Sequence, residues 1–448
     1  MRLQVKAVGT TLTVLFLLSG CGTQAAASAG TTTRNAASSN TSNATGSGAA
    51  NHVTNITFWS GHPSGKLHKA ILAEVSKFNS THQNIHVTID IIHATNKAIP
   101  AYLAHKAPNV AEIQTAAVQK FVTANAVVNL KPFINGSNGL SQQEIKKRYY
   151  PVIWNDMQGP GKKQYLMPLE KKSFVVVYYN DALFKKAHIS GAPKTWSQYF
   201  SDVQKISQLG GKVHGWAWTP MLPVFFSMVK DYGGNIWANS NHSKFSLDSA
   251  AGKKVLSQLR SLVKSGDLLI TKKYEYQQDF GTGKIGLLTD ASAGWTYDYG
   301  SVGGKFPMLA APAPKGTAPI AYNWINGGSL TMMNTGTSAQ KAAAWTFMKW
   351  MSSPSTNTYW NEHTNYLPLG PQTDSNMQSF YQKNKPYAAS FSNPKGWTMK
   401  PRFVNYTQAE TTMMNYFLKG LNGQLSVNQA LQGMDKSGDK YMSGHRRL

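Results

Sequence analysis

Residues 167–196 read MPLEKKSFVVVYYNDALFKKAHISGAPKTW, and this stretch indicates the class of fold. Its centre, residues 174–179, is an unbroken run of aromatic and β-branched side chains. Such a run is typical of a strand that is buried on both faces in the parallel part of an α/β sheet. Asn180 is placed to cap a short helix that ends in two lysines. After a break at Gly and Pro, Thr195 is placed to cap a second helix, with Trp196 on its inner side.

The residues that precede this stretch alternate between strand and helix patterns. Residues 56–59, 85–92 and 109–114 are predicted to be strands, and residues 66–79 and 93–105 are predicted to be the helices between them. Strands and helices that alternate with short connections predict a parallel sheet with right-handed crossovers.

The residues that follow it carry further element patterns. Residues 214–219 alternate Trp with Ala and predict a loop, and residues 249–265 predict an amphipathic helix. Residues 323–333 predict a strand that is broken by glycines. A strong helix is expected at residues 338–351, and the last helix of the chain at residues 410–420.

Five short motifs carry a resemblance to a known family. Their order and spacing resemble family 1 extracellular solute-binding proteins, the receptors of ABC importers, and within that family the glycerol 3-phosphate and sugar receptors. The resemblance covers residues 56 to about 432. It implies an α/β fold of two lobes (type II), each a mixed, mostly parallel sheet flanked by helices, with a hinge between them. The motifs are FWSG at 58–61, YYN at 178–180, PKTW at 193–196, GGSL at 327–330 and YLP at 366–368.

The resemblance also implies how the chain divides between the lobes. Residues 53–168 and 317–366 are expected to form the first lobe. Residues 169–316 and 367–448 are expected to form the second. The chain would then cross between the lobes near residues 169, 316 and 367.

The amino terminus resembles that of a bacterial lipoprotein. Arg2 and Lys6 precede a short apolar core, and Leu-Ser-Gly-Cys at residues 18–21 resembles a lipobox. The alternative is an uncleaved anchor, but the apolar core is much shorter than the roughly 20 residues that span a bilayer. Residues 1–20 are therefore expected to be a signal peptide. Cys21 is expected to be lipidated, which would hold the protein at the outer face of the cell membrane.

Two features of the composition bound the class of protein. Residues 21–52 are rich in Ser, Thr, Ala and Asn, so they are expected to be a disordered tether. The chain has 45 Lys and Arg but only 20 Asp and Glu, a net charge of +25. This excess arises from missing carboxylates, and the basic residues are spread along the chain. That distribution argues against a nucleic-acid partner and suggests a protein that faces an acidic medium.

Several candidate ligand-binding residues follow from their local positions. Ser60 and His62 follow the end of the first predicted strand, where ligands of α/β sheets bind. Trp216 and Trp218 could stack on a sugar ring. A core role is equally compatible with the pattern for Trp216, so Trp218, which is nearest the following helix, is the candidate. Ser292 begins a predicted helix with free backbone N–H groups, and Gly328 would let the backbone approach a ligand.

Other candidates follow from the resemblance. It places a ligand-contacting Ser at Ser173 and a ligand-contacting Tyr at Tyr366. It places a phosphate-binding Arg at Arg402, for which a plain ion pair is the alternative. Thr115 stands where the glycerol 3-phosphate receptors carry a Glu. The charged residues 170–172 fit a ligand contact and a solvated turn equally well.

These observations predict a monomeric substrate-binding lipoprotein of an ABC importer, whose ligand is a sugar or a glycerol-phosphate-type solute. Its partners would be permease subunits and the membrane, through the lipid on Cys21. The alternatives are a secreted carbohydrate-active enzyme, which would need paired cleft carboxylates, and a surface adhesin. No cofactor and no metal site are expected. His82 and His86 bracket a loop, with no third ligand evident.

Overall fold

The structure, a computed structural model, describes residues 53–443 apart from Asn241 and Ser392. The predicted signal peptide, lipidation site and tether lie outside the described residues. Within the described ranges, none of the helices is long and apolar enough to cross a membrane.

The strands are numbered in chain order. They are β1 Thr54–Ser60, β2 Ile85–Ile91, β3 Val110–Gln114, β4 Met167–Pro168, β5 Lys172–Ser173, β6 Val176–Asn180, β7 His214–Trp218, β8 Leu268–Ile270, β9 Ile285–Asp290, β10 Met308–Pro312, β11 Asn323–Asn326, β12 Gly328–Met332 and β13 Trp397–Met399.

The helices are numbered in the same way, and a short 3₁₀ turn at Ser292–Gly294 precedes α12. They are α1 Gly65–Thr81, α2 Ala94–Leu103, α3 Val118–Thr123, α4 Lys131–Ile134, α5 Gln142–Arg148, α6 Pro151–Asp156, α7 Asp181–Lys186, α8 Trp196–Ser207, α9 Leu222–Asp231, α10 Ala250–Ser265, α11 Glu275–Gly281, α12 Trp295–Val302, α13 Ser338–Met351, α14 Pro354–Thr364, α15 Pro371–Asn376, α16 Gln378–Lys383, α17 Lys385–Ser390, α18 Tyr406–Leu421 and α19 Val427–Ser443.

Two five-stranded sheets form the centres of two lobes. The first has the order β2-β1-β3-β12-β4, and the second has the order β10-β6-β9-β7-β8. In each sheet two neighbouring pairs are parallel and two are antiparallel. The two-lobed α/β architecture is therefore confirmed, but the sheets are evenly mixed and not mostly parallel.

The strand predicted at residues 174–179 shows the limit of the sequence pattern. Every residue of β6 is buried, as predicted. Val177 packs in the core on one face of the sheet and Tyr178 in the core on the other. However, β6 is antiparallel to both of its neighbours, β9 and β10, so the expectation of a parallel neighbourhood is wrong. An apolar run indicates that both faces of a strand are buried. Such burial does not depend on the direction of the adjacent strands.

The helices around β6 begin where their capping residues predict. The side chain of Asn180 accepts hydrogen bonds from the backbone N–H groups of Ala182 and Leu183 at the start of α7. Thr195 and Gln198 form a capping box at the start of α8. Both helices are thereby fixed directly behind the strand that leads into the second lobe.

A third, three-stranded sheet joins the two lobes, with the order β13-β11-β5. In the chain, β5 lies between β4 of the first sheet and β6 of the second. β11 lies between β10 of the second sheet and β12 of the first. β13 precedes α18, which packs in the core of the second lobe. Each strand of this connecting sheet thus belongs to a different passage of the chain between the lobes.

The lobe boundaries stay a prediction, although the packing bears on one of them. Leu367, Leu369 and Trp397 all pack in the core of the first lobe. We therefore propose that the third crossing lies after Trp397 and not near residue 367. The motif at residues 366–368 contributes to the cleft wall and the first-lobe core instead.

Three other element predictions need correction. Residues 214–219 were expected to be a loop, but residues 214–218 form β7 inside the second sheet. The glycine-broken strand at 323–333 is two strands in two different sheets. The helix at 410–420 is α18, but it is followed by α19. The amphipathic face of α19 packs beside α10 and α18 through residues such as Leu431 and Met434.

Candidate ligand-binding site

A cleft of about 550 Å³ lies between the first and second lobes. Lys66 at the start of α1 and Tyr366 after α14 line one side of it, and residues that surround the carboxyl end of β9 line the other. The amino end of α1 follows the carboxyl end of β1, so the cleft lies where the strands of both sheets end. Ligands of open α/β sheets bind at this edge.

Aromatic rings dominate the second-lobe side of the cleft. Tyr274 and Tyr297 line it, and their side chains are 71% and 55% exposed. Tyr276 also lines the cleft, and its hydroxyl donates a hydrogen bond to Asp290 at 2.8 Å. Rings that are exposed inside a concave site offer flat apolar faces, and these match the apolar face of a sugar ring.

Polar groups lie around these rings. Lys66 and Lys172 reach the cleft from the first lobe and the connecting sheet, and Gln277 reaches it from the second lobe. Asp290 is buried at the cleft wall and accepts hydrogen bonds from Tyr276 and from the backbone N–H of Ala291. Burial raises the pKa of Asp290, and burial together with the neighbouring Asp290 raises the pKa of Asp298 well above its usual value. The two carboxyls therefore oppose each other's ionisation.

One hydrogen bond joins the two lobes across the mouth of the cleft. The side-chain amide of Asn365 donates to the hydroxyl of Thr296 at 2.9 Å. Asn365 caps the carboxyl end of α14 with a left-handed φ of 60°, and Thr296 lies in the first turn of α12. This contact links the opposing walls in the conformation that the structure describes.

A buried polar cluster lies directly beneath the first-lobe wall. The Nε2 atom of His62 is 3.2 Å from an oxygen of Glu112 and 3.6 Å from an oxygen of Glu170. The hydroxyl of Ser60 and the backbone N–H of Gly61 both donate to Glu112. Burial alone would lower the pKa of His62, but the carboxylates of Glu170 and Glu112 raise it to about 9.

The pKa values of the two carboxyls of this cluster shift in opposite directions. Burial would raise the pKa of Glu112, but the attraction of His62 and its other donors hold that pKa below the usual value. Glu170 has fewer donors, and burial raises its pKa. The cluster is therefore a strongly coupled unit of one imidazole and two carboxyls.

Among the predicted site residues, Tyr366 lines the cleft itself. Ser60, His62 and Gly328 belong to the buried cluster, since an added Cβ at Gly328 would lie 2.6 Å from a Glu112 oxygen. Ser173 donates its backbone N–H to the hydroxyl of Ser292 at 3.3 Å, behind the second-lobe wall.

Thr115 and the charged stretch beside Ser173 form the base of the connecting region. The ammonium of Lys171 donates to the hydroxyl of Thr115 at 2.7 Å and lies 3.4 Å from Asp156. Thr115 also contacts Ser329 of β12 at 2.7 Å. Lys171 is fully buried, so this segment is not the solvated turn that was one of its two interpretations. Its ionic partners hold the first crossing against the first lobe.

Two predicted site residues lie away from both the cleft and the buried cluster. Trp218 is 1% exposed in β7 and packs between Trp216 and Phe417, so a stacking role for it is wrong in this conformation. The alternation of Trp with Ala in this segment reflects a core strand whose large side chains lie on one face. Arg402 lines a different cavity of about 700 Å³, and its Nη1 donates to the carbonyls of Asp156 and Gln158 at 2.6 Å. Its Nη1 also lies 3.6 Å from a carboxylate oxygen of Asp156, which is the ion pair of its alternative interpretation.

Three tyrosines that line the second-lobe side of the cleft were not among the predicted site residues. Tyr274 and Tyr276 precede β9, and Tyr297 follows Ser292 by five positions. A high density of aromatic residues on both sides of the strand at 285–290 is the signal that could have identified them. It carries no periodicity, because the rings converge only when α11 and α12 meet beside β9.

A comparison with protein families bears on this arrangement. The sequence model of the family described as bacterial extracellular solute-binding protein matches residues 73–411, most of the described chain. The chain belongs to this family. The resemblance inferred from the five short motifs is therefore confirmed.

Sequence relatives of this solute-binding protein are distant. Binding proteins of Brucella abortus (strain 2308) and Brucella suis biovar 1 (strain 1330) are each 23% identical to it over 261 residues. These matches cover 56% of this chain and 61% of each relative, so the chain spans about three fifths of their length.

Solved structures share the fold over nearly all of the described chain. UgpB from Mycobacterium tuberculosis in complex with glycerophosphocholine has a TM-score of 0.75 at 17% identity, and the match covers 88% of this chain and 99% of that one. The cyclic alpha-maltosyl-1,6-maltose binding protein from Arthrobacter globiformis also has a TM-score of 0.75 at 17% identity, with 88% and 100% covered. The sugar-binding protein MalE from Xanthomonas citri has a TM-score of 0.74 at 18% identity, with 88% and 98% covered.

Proposed function

We propose that this solute-binding protein captures a carbohydrate in the inter-lobe cleft. The observation that carries the proposal is the set of exposed tyrosine rings inside a cleft at the strand ends, with polar groups around them. A sugar needs both surfaces, because its ring faces are apolar and its rim of hydroxyls requires hydrogen bonds. Lys66, Lys172 and Gln277 are placed to form hydrogen bonds with those hydroxyls.

A glycerol-phosphate-type ligand is the second candidate. The relative that binds glycerophosphocholine shares the fold, and Lys66 and Lys172 bring two positive charges to the cleft. Against this ligand, Arg402 lies outside the cleft with its guanidinium hydrogen-bonded to carbonyl groups. A neutral sugar therefore fits the site better.

Capture would close the two lobes around the ligand by rotation at the connecting sheet. The closed form would then be presented to the permease subunits of an ABC importer. The lipid on Cys21 would keep the receptor at the outer face of the membrane, and Cys21→Ser should release the protein into the medium. Retention of this variant in the membrane fraction would count against the anchor.

The proposal is tested by thermal unfolding of the full-length chain against a ligand panel. The panel contains mono-, di- and oligosaccharides, glycerol 3-phosphate and its diesters, each at a large excess over a micromolar Kd. Mass action predicts that a true ligand stabilises the fold by roughly 3–4 kcal/mol under these conditions. Tyr297→Ala should abolish this shift for a sugar, because it removes a stacking face.

Tyr299→Ala is the matched control. Tyr299 is on the same helix and is 53% exposed, but its ring stacks on Trp295 outside the cleft. The control should bind as the unmodified protein does. Equal losses in both variants would show a general effect on α12, and an absence of any shift would contradict ligand capture by this panel.

The same ligand panel distinguishes a binding protein from the two alternatives, a carbohydrate-active enzyme and an adhesin. A carbohydrate-active enzyme would shorten the oligosaccharides during incubation, which chromatography of the mixtures would detect. An adhesin would bind extended polysaccharide but not the small ligands of the panel. Intact ligands and a shift with small sugars are the outcome that the proposal requires.

A further inference from the structure

The buried cluster of His62, Glu112 and Glu170 is not accounted for by sugar binding. Its three facing atoms are the Nε2 of His62 and one oxygen from each carboxyl, and all lie within 4.8 Å of one another. All three side chains are more than nine-tenths buried. Neither the Nε2 of His62 nor the facing oxygen of Glu170 has a hydrogen-bond partner of suitable geometry among the described residues. They interact with each other only through the ion-pair contacts of 3.2 and 3.6 Å, and buried polar atoms without well-formed hydrogen bonds are costly.

The rest of the cluster holds these atoms in place. The second oxygen of Glu112 accepts hydrogen bonds from Ser60 at 2.8 Å and from the backbone of Gly61 at 3.1 Å. The second oxygen of Glu170 accepts one from the backbone N–H of Gly328 at 3.2 Å. In each carboxyl, the oxygen that accepts these hydrogen bonds fixes the orientation of the group. The other oxygen faces His62. Metal ligands in proteins are commonly oriented by a second shell of this kind.

We propose that His62, Glu112 and Glu170 bind a divalent transition-metal ion with the preferences of Zn²⁺. Ligands at 2.0–2.1 Å from a tetrahedral zinc are about 3.3–3.4 Å from one another. The separations from Nε2 to the two facing oxygens, 3.2 and 3.6 Å, bracket this value. One imidazole with two carboxylates is a ligand set that suits zinc, and a doubly charged ion would balance both carboxylates. Three protein ligands leave a fourth position open.

The ligands come from three separate segments of the first lobe and its exit. His62 follows β1, Glu112 is in the middle of β3, and Glu170 lies between β4 and β5. A bound ion would therefore tie the first crossing to the centre of the first sheet. The alternative is a metal-free cluster in which a protonated His62 bridges the two carboxyls.

Isothermal titration of the full-length chain with ZnCl₂ tests the proposal, in a Cys21→Ser background so that no thiol can supply a ligand. One Zn²⁺ ion per chain is expected, and Glu170→Gln should weaken binding by about 10–100-fold. Glu362→Gln is the matched control, because Glu362 is an exposed carboxylate on α14. It should bind zinc as the Cys21→Ser protein does.

Cobalt substitution gives a second measurement that does not depend on removing a ligand. Co²⁺ bound to the Cys21→Ser protein should show the intense visible absorption of a tetrahedral site with nitrogen and oxygen ligands. Circular dichroism of Glu170→Gln establishes that this variant is folded. No zinc binding, equal binding in Glu170→Gln, or a six-coordinate cobalt spectrum would overturn the proposal in favour of the metal-free cluster.

Discussion

Glu74 lies on the inner side of α1, and its side chain is 1% exposed. Neither of its carboxyl oxygens has a hydrogen-bond partner among the described residues. Burial raises the pKa of Glu74 to about 7, and the nearby Lys77 lowers it only in part. A carboxyl of this kind favours the folded state while it is protonated and opposes it when it is ionised.

The pH dependence of stability should therefore change in Glu74→Gln. The pKa of Glu74 is raised in the folded state, so the stability is fully present below the unfolded value of about 4.5. It is lost as the pH rises through about 7. At pH 8 the Gln variant should be more stable than the unmodified protein by about 1–3 kcal/mol, and at pH 4 the two should be equal. Denaturant titrations at both pH values measure this, and an equal gain at both would contradict it.

The connecting sheet depends on a close approach of two chain segments at Gly327. This glycine lies between β11 and β12, where the chain passes from the connecting sheet into the first sheet. An added Cβ would lie 2.1 Å from the carbonyl oxygen of Glu170 and 3.1 Å from the Cα of Lys171. Both obstacles are backbone atoms, so the first and second crossings would have to separate.

Gly327→Ala should consequently lower the free energy of unfolding by about 1–3 kcal/mol, because overpacking forces the backbone to shift. Gly300→Ala is the matched control. A Cβ at Gly300 in α12 meets no heavy atom within 4 Å, and its φ is not left-handed. The control should be neutral or stabilising by up to about 1 kcal/mol, since Ala favours a helix. Urea titrations compare the two, and equal stability of both variants would show that the crossings are not tightly packed.

At the scale of the whole molecule, the proposed ligand capture requires the two lobes to move relative to each other. The hydrogen bond from Asn365 to Thr296 joins them at the cleft, and the connecting sheet joins them behind it. A contact made between the lobes in the closed form contributes to ligand affinity, because binding and closure are one equilibrium.

Thr296→Val removes the hydroxyl with little change in shape. The loss of one hydrogen bond, about 0.5–1.5 kcal/mol, should weaken ligand binding by roughly 2- to 13-fold. Small-angle scattering without ligand should also show a more open population, which separates a closure effect from a lost ligand contact. Thr411→Val, an exposed substitution on α18, is the control. Unchanged scattering with weaker binding would assign the hydroxyl to the ligand instead.

The hypothesis that the protein faces an acidic medium concerns the charge of the whole molecule, and it stays a prediction. Besides Glu74, burial raises the pKa of Asp231 to about 8 and that of Asp435 to about 6. Each of these groups favours folding more strongly as the pH falls through its folded pKa. The pH titration of the unmodified protein tests the hypothesis. A collapse in stability between pH 7 and pH 3 would contradict it.

Some properties of this protein are determined locally. Burial of the strand at β6, the caps of α7 and α8, and the amphipathic face of α10 follow from side-chain types at fixed spacings. Other properties depend on which segments meet. The direction of the strands beside β6, the core position of Trp218 and the pairing of Arg402 with Asp156 follow from tertiary contacts that no local pattern encodes. The cleft is decided in the same way, because Tyr274, Tyr297 and Tyr366 come from distant segments that converge only when both sheets and the connecting sheet are in place.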